Sequence, residues 1–245
     1  MKYLLVIIQL VFVSFNALSQ NHKPCPCDLA ADSVFSPKLI GTVYYQLFGI
    51  IGTEFFNKAY VRGNIVLTND DTARNINMRY NGRIDGLLYW PQKSGSEILL
   101  DKSYIKEFSL EYPSENSKSV FQRMKIVISL TNDSSEHFCQ RLYLGNLSLF
   151  AYRQCVLAQI VNEYVGKSLV AKSLYEPKII YYFKLPNNRT IGFKRLNRRS
   201  LSSIFPKDKE LLKSVLKKLH QRRFRKEEDF IKLASALNQA PEIFN

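Results

Sequence analysis

Two short groups of thiol and imidazole side chains carry the residue types that bind transition metals or form disulfides. His22, Cys25 and Cys27 lie close together near the start of the chain, and His137 and Cys139 are separated by one residue. Thiolate sulfur and imidazole nitrogen are ligands that zinc and copper(I) accept. The spacing matches no familiar zinc module, and cysteines of an exported protein more often form disulfides. These five residues therefore define two alternatives, a metal or thiol site and a disulfide framework.

The remaining cysteine, Cys155, restricts the disulfide alternative. In a hairpin with its turn at Gly145-Asn146, Cys139 and Cys155 have opposite strand parity and lie on opposite faces. Their Cβ atoms then cannot approach to bonding distance. A bridge between Cys25 and Cys27 would close a very tight ring. We therefore expect a disulfide, if one forms, to link the N-terminal pair with the hairpin.

The strongest compositional signal is a basic stretch towards the C-terminus. Residues 178–226 contain sixteen Lys or Arg and two acidic residues. Such charges can form a solvated face on helices that pack through their leucines. The functional alternative is an anion-binding surface, and helices with lysines on one side and leucines on the other also suit a membrane surface. The predicted anion-binding residues are Arg195, Arg198, Arg199, Arg222, Arg223 and Arg225.

The first 19 residues are predicted to be a secretory signal peptide. An apolar run from Leu4 to Val13 follows Lys2, and Ala17-Leu18-Ser19 supplies the small residues of a cleavage site. The run is shorter than the roughly 20 apolar residues that a spanning helix needs. Cleavage leaves 226 residues (245 minus 19) and a net charge of +13 (+14 minus Lys2). We expect an exported protein of the periplasm or cell envelope, with no transmembrane segment in the mature chain.

The net charge and the expected compartment narrow the classes of partner. A charge of +14 would suggest nucleic acid as the partner of a cytosolic protein. Export argues against nucleic acid and favours an anionic lipid, an anionic glycan or an acidic protein. The sequence indicates no cofactor, and it carries no information on the oligomeric state.

Recognisable catalytic motifs are absent from the sequence. None of the three histidines lies in a nucleophile motif with a serine or cysteine, and no glycine-rich phosphate loop occurs. Asp70, Asp71 and Asp85 suit turns or strand ends without a catalytic role. The prediction therefore leans towards a non-enzymatic protein that binds an anionic partner. The alternatives are a metal- or thiol-dependent protein and a hydrolase whose motif is not visible.

Alternating apolar and polar residues predict the strands that position these groups. Residues 61–67, 76–80 and 84–90 form a predicted meander, with a type I′ turn at Asn81-Gly82. The clearest alternation in the chain runs from Met124 to Leu130.

Two further hairpins are predicted. In residues 138–155, a two-residue turn at Gly145-Asn146 places Leu144 opposite Leu147 on an apolar face. The segment 156–174 is ambiguous between strand and helix, because Ile160, Val161, Tyr164 and Val165 lie at helical spacing while Gly166 could end a helix. The last predicted hairpin joins residues 179–185 to residues 190–193.

Helical spacing replaces strand alternation after residue 195. Asn197 can cap a short helix, apolar residues recur on one face over residues 211–219, and acidic residues 227–229 open a final helix. The predicted fold class is α+β, with a mostly antiparallel twisted sheet or partly closed β-barrel followed by C-terminal basic helices. The expected segments are a signal peptide (1–19), a loose leader (20–38), an antiparallel β domain (39–194) and a basic helical C-terminal segment (195–245).

Three short patterns precede the basic helical tail in a fixed order. They are a Gly-Asn-Ile-Val-Leu strand at residues 63–67, a Met-Arg-Tyr-Asn strand end at residues 78–81 and a Leu-Gly-Asn-Leu-Ser-Leu hairpin at residues 144–149. This order resembles a group of uncharacterised secreted β-rich proteins of Gram-negative bacteria, over most of the mature chain. The patterns are turns and strands, so the resemblance implies envelope localisation and supplies no activity.

Overall fold

A large, mostly antiparallel β-sheet dominates the protein. The computed structural model describes residues 37–91, 95–112, 116–128, 134–205, 209–220 and 223–240. The sheet strands are β1 (Gly41–Val43), β2 (Ile50–Gly52), β3 (Val61–Leu67), β4 (Thr72–Asn81), β5 (Gly86–Tyr89), β6 (Ile98–Leu100), β7 (Ile105–Tyr112), β8 (Ser117–Val127), β9 (Ser134–Tyr143), β10 (Ser148–Val165), β11 (Ser168–Lys184) and β12 (Thr190–Phe193).

The strand order is β1-β6-β5-β4-β3-β7-β8-β9-β10-β11-β12, and β2 adds to β11 in parallel. Most neighbours in this order follow each other closely in the chain, which short antiparallel connections allow. The end strands β1 and β12 do not pair with each other. The predicted antiparallel sheet is thus confirmed, while the partly closed barrel is not, because the described strands form an open sheet.

The predicted meander is present, with β4 pairing with both β3 and β5. Alternate residues of these strands face a core in which aromatic rings dominate. Tyr80 lies 5.0 Å from Phe121 between ring centroids, and Phe108 stacks on Phe121 at 4.8 Å. Phe138 of β9 packs edge-on against Phe108 in the same cluster. The same region holds a contact between the β4–β5 connection and β9, where the Phe138 N–H donates to Asp85 Oδ1.

The turn predicted at Asn81-Gly82 is a longer loop. Asn81 pairs with Gly86, which leaves four residues between β4 and β5. The Asn81 side chain is buried and its Oδ1 accepts the N–H groups of Arg83 at 2.9 Å and Ile84 at 3.3 Å. The positive φ of this loop belongs to Asp85, at 50°. The type I′ prediction was wrong because the asparagine caps the loop with its side chain and does not occupy the turn itself.

The hairpin predicted around Gly145-Asn146 also has a longer connection. Tyr143 pairs with Leu149, and a bulge follows before Arg141 pairs with Phe150. Leu144 is 59% exposed, whereas Leu147 is buried, so the two leucines do not form the predicted apolar pair. Beyond the bulge, the residues of the two strands pair in the register that the sequence predicted.

The segment 156–174, which fitted either a helix or a strand, forms two strands joined by a turn at Gly166 and Lys167. It forms the far half of the β10–β11 hairpin, which pairs continuously from Ser148↔Lys184 to Val165↔Ser168 apart from one bulge near Leu157. Its side chains are exposed or half-buried, and Ile160 and Tyr164 are among the exposed apolar groups. The nearby hairpin of residues 179–185 and 190–193 is confirmed by the β11–β12 pairing.

The C-terminal helices cover the β9–β12 part of the sheet. They are α1 (Arg198–Ile204), α2 (Lys209–Lys218) and α3 (Glu227–Asn238). Leu212, Val215 and Leu216 of α2 and the apolar residues of α3 recur at helical spacing and are buried against the strands. In the described residues, no helix has the length and apolarity needed to cross a bilayer.

Candidate functional site

A short two-stranded ribbon connects the sheet to the helices. Its strands are β13 (Leu196–Asn197) and β14 (Arg223–Phe224), and the register pairs Leu196 with Phe224 and Asn197 with Arg223. Leu196 is 2% exposed and Phe224 0% exposed, because both belong to the core beneath the helices. Leu196 and Phe224 thus fix the inner side of the ribbon in the core. The residues that alternate with them face outwards.

Three of the predicted arginines lie on this outer side. Arg223 is opposite Asn197, and alternation places Arg195 and Arg225 on the same side, flanking the buried pair. All three side chains are exposed. Pairing of the ribbon therefore joins arginines that are about 30 positions apart in the sequence, as residue numbers 195 and 225 show. We call Arg195, Arg223 and Arg225 the arginine ribbon.

Two more predicted arginines begin helix α1. Asn197 caps this helix by accepting the N–H of Ser200 at 2.9 Å, so Arg198 and Arg199 are its first two residues. Both are exposed. The N-terminus of a helix carries a partial positive charge and favours acidic side chains. Helix stability therefore does not explain arginines at these positions. The sixth residue, Arg222, lies outside the described residues.

Five half-buried arginines of the sheet are neutralised by carboxylates. Ion pairs join Arg79 to Glu97, Arg83 to Glu54, Arg123 to Glu136, Arg141 to Glu107 and Arg153 to Glu227, at distances from 2.6 to 3.5 Å. These arginines hold separate parts of the sheet together. In these five cases, an arginine with a structural role has a carboxylate partner.

The arginines of the ribbon and of α1 take part in no ion pair within the described part of the chain. Two of the acidic residues in the first turn of α3 have other partners. Glu227 binds Arg153, and the carboxylate of Asp229 accepts the backbone N–H groups of Arg225 and Lys226 at 3.2 Å each. The guanidinium groups of the arginine ribbon are consequently available to an external anion.

Comparisons with known proteins give no relative for this chain. No family model, curated protein or solved structure matches it. A function can therefore be inferred only from the chemistry of the residues of this chain.

Of the predicted metal and thiol residues, His137 and Cys139 belong to the described part of the chain, whereas His22, Cys25 and Cys27 lie outside it. His137 Nδ1 lies 2.7 Å from Asp85 Oδ2. Cys139 is buried, and burial raises the pKa of its thiol well above the ordinary value, which disfavours the thiolate that a metal needs. Within the described ranges, no three potential ligands of the His, Cys, Asp or Glu type cluster together.

Neither described cysteine forms the predicted disulfide. Cys139 and Cys155 are both free thiols. Cys139 is opposite Tyr152, three positions before Cys155, so strand alternation turns the two thiols to opposite faces. Cys155 instead donates to the Thr53 carbonyl at 2.8 Å. The parity argument against a 139–155 bridge is confirmed, while the expected bridge from the N-terminal segment to the hairpin is not formed by either thiol.

Sequence reasoning missed the role of Asp85, which was assigned to a turn. Asp85 is 7% exposed as a residue, and its carboxylate accepts the hydroxyl of Tyr80 at 2.7 Å and the N–H of Phe138 at 3.2 Å. Lys102 forms an ion pair with it, and His137 contacts its second oxygen. Only the tertiary contact between the β4–β5 loop and β9 creates this group, so a local sequence pattern could not indicate it.

Proposed function

We propose that this protein is exported to the cell envelope and binds an anionic partner there through the arginine ribbon, with Arg198 and Arg199 beside it. The observation that carries the proposal is the contrast between two classes of arginine. Five half-buried arginines of the sheet are held by carboxylates, whereas the ribbon groups three exposed arginines beside a buried Leu196–Phe224 pair, with no ion pair to an acidic side chain among the described residues.

The chemistry of the guanidinium group favours phosphate or carboxylate as the anion. Its planar donors pair with two oxygens at once, which a lysine cannot do. Each basic residue near an anionic membrane contributes about 1 kcal/mol, so three to five acting together give useful affinity. An anionic lipid surface is the partner that we regard as best suited to such an open ribbon. Anionic glycans and acidic proteins are the alternatives.

The proposal is tested by removing the ribbon charges and comparing an equal loss of charge elsewhere. The test variant is Arg195→Gln, Arg223→Gln and Arg225→Gln. The matched control replaces Arg62, Arg74 and Lys125 with glutamine, because these three are also exposed and form no ion pair among described residues. Both variants lose three charges, so an effect of net charge alone would be equal in both.

Binding is measured by co-sedimentation with vesicles of phosphatidylglycerol, with phosphatidylcholine vesicles as the neutral surface. We expect wild type and the control variant to bind the anionic vesicles and the test variant to lose most binding. An acidic polysaccharide serves as the second probe and separates a glycan partner from a lipid. Equal binding by test and control variants would overturn the assignment to the ribbon.

The exported location has its own test. We expect the mature chain to begin at Gln20, because cleavage is predicted after Ser19. Intact-mass analysis of the protein recovered from the envelope of an expressing Gram-negative cell gives the answer. A recovered chain that still contains residues 4–13 would contradict cleavage at this site.

A further inference from the structure

Three side chains from two parts of the sequence form a continuous hydrogen-bonded chain at the edge of β9. Ser135 Oγ lies 2.6 Å from His137 Nε2, and His137 Nδ1 lies 2.7 Å from Asp85 Oδ2. An ionised carboxylate only accepts hydrogen bonds, so Nδ1 carries the imidazole proton. Nε2 is then left to accept the proton of the serine hydroxyl. These are the contacts that a nucleophilic serine needs from a general base and an orienting acid.

Local strand geometry explains how Ser135 and His137 come together. They are two positions apart on β9, so their side chains project from the same face. The ring of Tyr152 packs against the His137 ring with centroids 4.6 Å apart, which restricts the imidazole. Asp85 arrives from the β4–β5 loop, 52 positions earlier in the chain.

Asp85 itself is firmly positioned. Four groups hold its carboxylate, namely the Tyr80 hydroxyl, the Phe138 N–H, the Lys102 ammonium and the His137 imidazole. The N–H and the hydroxyl contact Oδ1, which leaves Oδ2 directed at the imidazole and the ammonium. A carboxylate that is fixed in this way selects one imidazole tautomer and stabilises the imidazolium that forms when the serine proton is transferred.

The serine at the other end of this chain of contacts is open to solvent. Ser135 is exposed, and β10 pairs with β9 only over Cys139–Tyr143, so it does not cover the edge near Ser135. Since the Phe138 N–H points to that edge, alternation directs the Glu136 N–H to the same side. A backbone N–H beside the nucleophile is the kind of donor that stabilises a developing oxyanion.

We propose that Ser135, His137 and Asp85 form a serine hydrolase site for carboxylic esters. This site is separate from the arginine ribbon and adds an activity to the proposed function. Ser135 and His137 are its catalytic residues, and Asp85 positions His137. The open edge suits an ester group carried on a larger molecule and does not suit a substrate that must be enclosed.

The reaction needs water and no further reactant. Ser135 Oγ attacks the ester carbonyl carbon while His137 Nε2 takes the hydroxyl proton, giving a tetrahedral intermediate. The bond to the alcohol oxygen breaks, and His137 returns the proton to that oxygen, which leaves an acyl-serine. Water then attacks the acyl carbon while His137 Nε2 takes one of its protons, the bond from the acyl carbon to Ser135 Oγ breaks, and His137 returns the proton to Oγ, which releases the carboxylic acid and regenerates the serine.

The adjacent serine supplies a close control. Ser134 is also exposed and lies next to Ser135 on β9, but alternation turns it to the opposite face. The variants are therefore Ser135→Ala, Ser134→Ala and His137→Gln. Asp85→Asn is not suitable, because it would also disturb the groups that Asp85 holds.

The first measurement is covalent labelling of the full mature protein by a fluorophosphonate, followed by peptide mass analysis. Attack by Ser135 Oγ at phosphorus releases fluoride and leaves a phosphonyl-serine that a purely structural hydrogen bond would not produce. The second measurement is turnover of p-nitrophenyl acetate. Thermal midpoints of all variants are compared with wild type, so that a folding defect is recognised.

We expect labelling at Ser135 in wild type and in Ser134→Ala, and none in Ser135→Ala. Turnover should fall by about 10²- to 10⁴-fold in His137→Gln, the range that a general base contributes. The proposal is overturned if folded wild type forms no adduct at Ser135, or if Ser135→Ala hydrolyses the ester as fast as Ser134→Ala.

Discussion

At the residue scale, burial separates arginines that hold the fold from arginines that face solvent. Arg83 Nε donates to Glu54 Oε2 at 2.6 Å, and Glu54 is 1% exposed. The hydroxyl of Tyr44 also donates to Glu54 at 3.1 Å. Arg223 has no such partner in the described chain and faces away from the core. The two residues have the same chemistry but different consequences when they are replaced.

We predict that Arg83→Gln lowers the free energy of unfolding by about 3–5 kcal/mol, because it leaves a buried carboxylate without its cation. Arg223→Gln should change it by no more than about 0.5 kcal/mol, as is usual for surface substitutions. Urea denaturation of both variants provides the measurement. A loss at Arg223 comparable to that at Arg83 would mean that the arginine ribbon is structural.

The sequence contains the arginines but does not show which of them form ion pairs with carboxylates. Arg83 and its partner Glu54 are 29 positions apart, and Arg153 and Glu227 are 74 positions apart. Such pairs depend on strand register and on the docking of α3, which local patterns do not determine. The arginine ribbon could not be predicted from the sequence for the same reason. Its strands have two residues each, which is too short for a sequence pattern to predict a strand there.

At the element scale, Asn238 joins helix α3 to the loop between β9 and β10. Its Oδ1 accepts the N–H of Leu147 at 3.0 Å, and its Nδ2 donates to the carbonyl oxygens of Leu147 and Ala234, each at 2.8 Å. Gly145 packs directly against this amide, and any larger side chain there would collide with it. The Asn238 amide thus supplies hydrogen bonds to the backbone of a longer loop, at the place where the sequence predicted a two-residue turn.

We predict that Asn238→Ala destabilises the protein by about 1–3 kcal/mol, because the backbone groups of Leu147 lose their partner. The control is Asn162→Ala, since Asn162 is exposed on the far half of the β10–β11 hairpin. Thermal unfolding followed by circular dichroism measures both. If the two variants melt together, the amide contacts contribute nothing to the docking of α3.

Element type was predictable where alternation or helical spacing was unambiguous. The β3–β4–β5 meander and the start of α3 at Glu227 agree with the sequence. The strand conformation of the far half of the β10–β11 hairpin could not be predicted. Its apolar residues Ile160, Val161, Tyr164 and Val165 fit a helical face as well as a strand. Pairing with β11 decides the conformation, and this pairing is a property of two segments together.

At the scale of the whole molecule, buried tyrosines link stability to alkaline pH. Burial raises the pKa of Tyr181 and Tyr182 to about 12 from an ordinary value of 10.0, and the charge of Glu227 adds to the effect at Tyr181. The unfolded chain therefore releases these protons at lower pH than the folded protein does. The stabilisation is complete below pH 10 and is lost as the pH rises towards 12.

We predict that the free energy of unfolding falls between pH 10 and pH 12, and that Tyr181→Phe makes this fall shallower. The control is Tyr45→Phe, because Tyr45 is 82% exposed. Denaturant titrations at several pH values give the slope for each protein. A Tyr181→Phe slope identical to that of wild type would contradict the assignment of this proton release to Tyr181.

Binding of an anionic surface by the arginine ribbon must depend on salt, and this dependence separates the ribbon from a merely solvated basic face. The dissociation constant for phosphatidylglycerol vesicles is measured from low salt to 1 M, for wild type and for Arg195→Gln, Arg223→Gln and Arg225→Gln combined. Screening shortens the Debye length from about 10 Å at 0.1 M to about 3 Å at 1 M. We predict tight, salt-sensitive binding by wild type at low salt, and weak binding with little salt dependence by the variant. Equal affinities and equal salt dependence in the two proteins would contradict binding by the arginine ribbon.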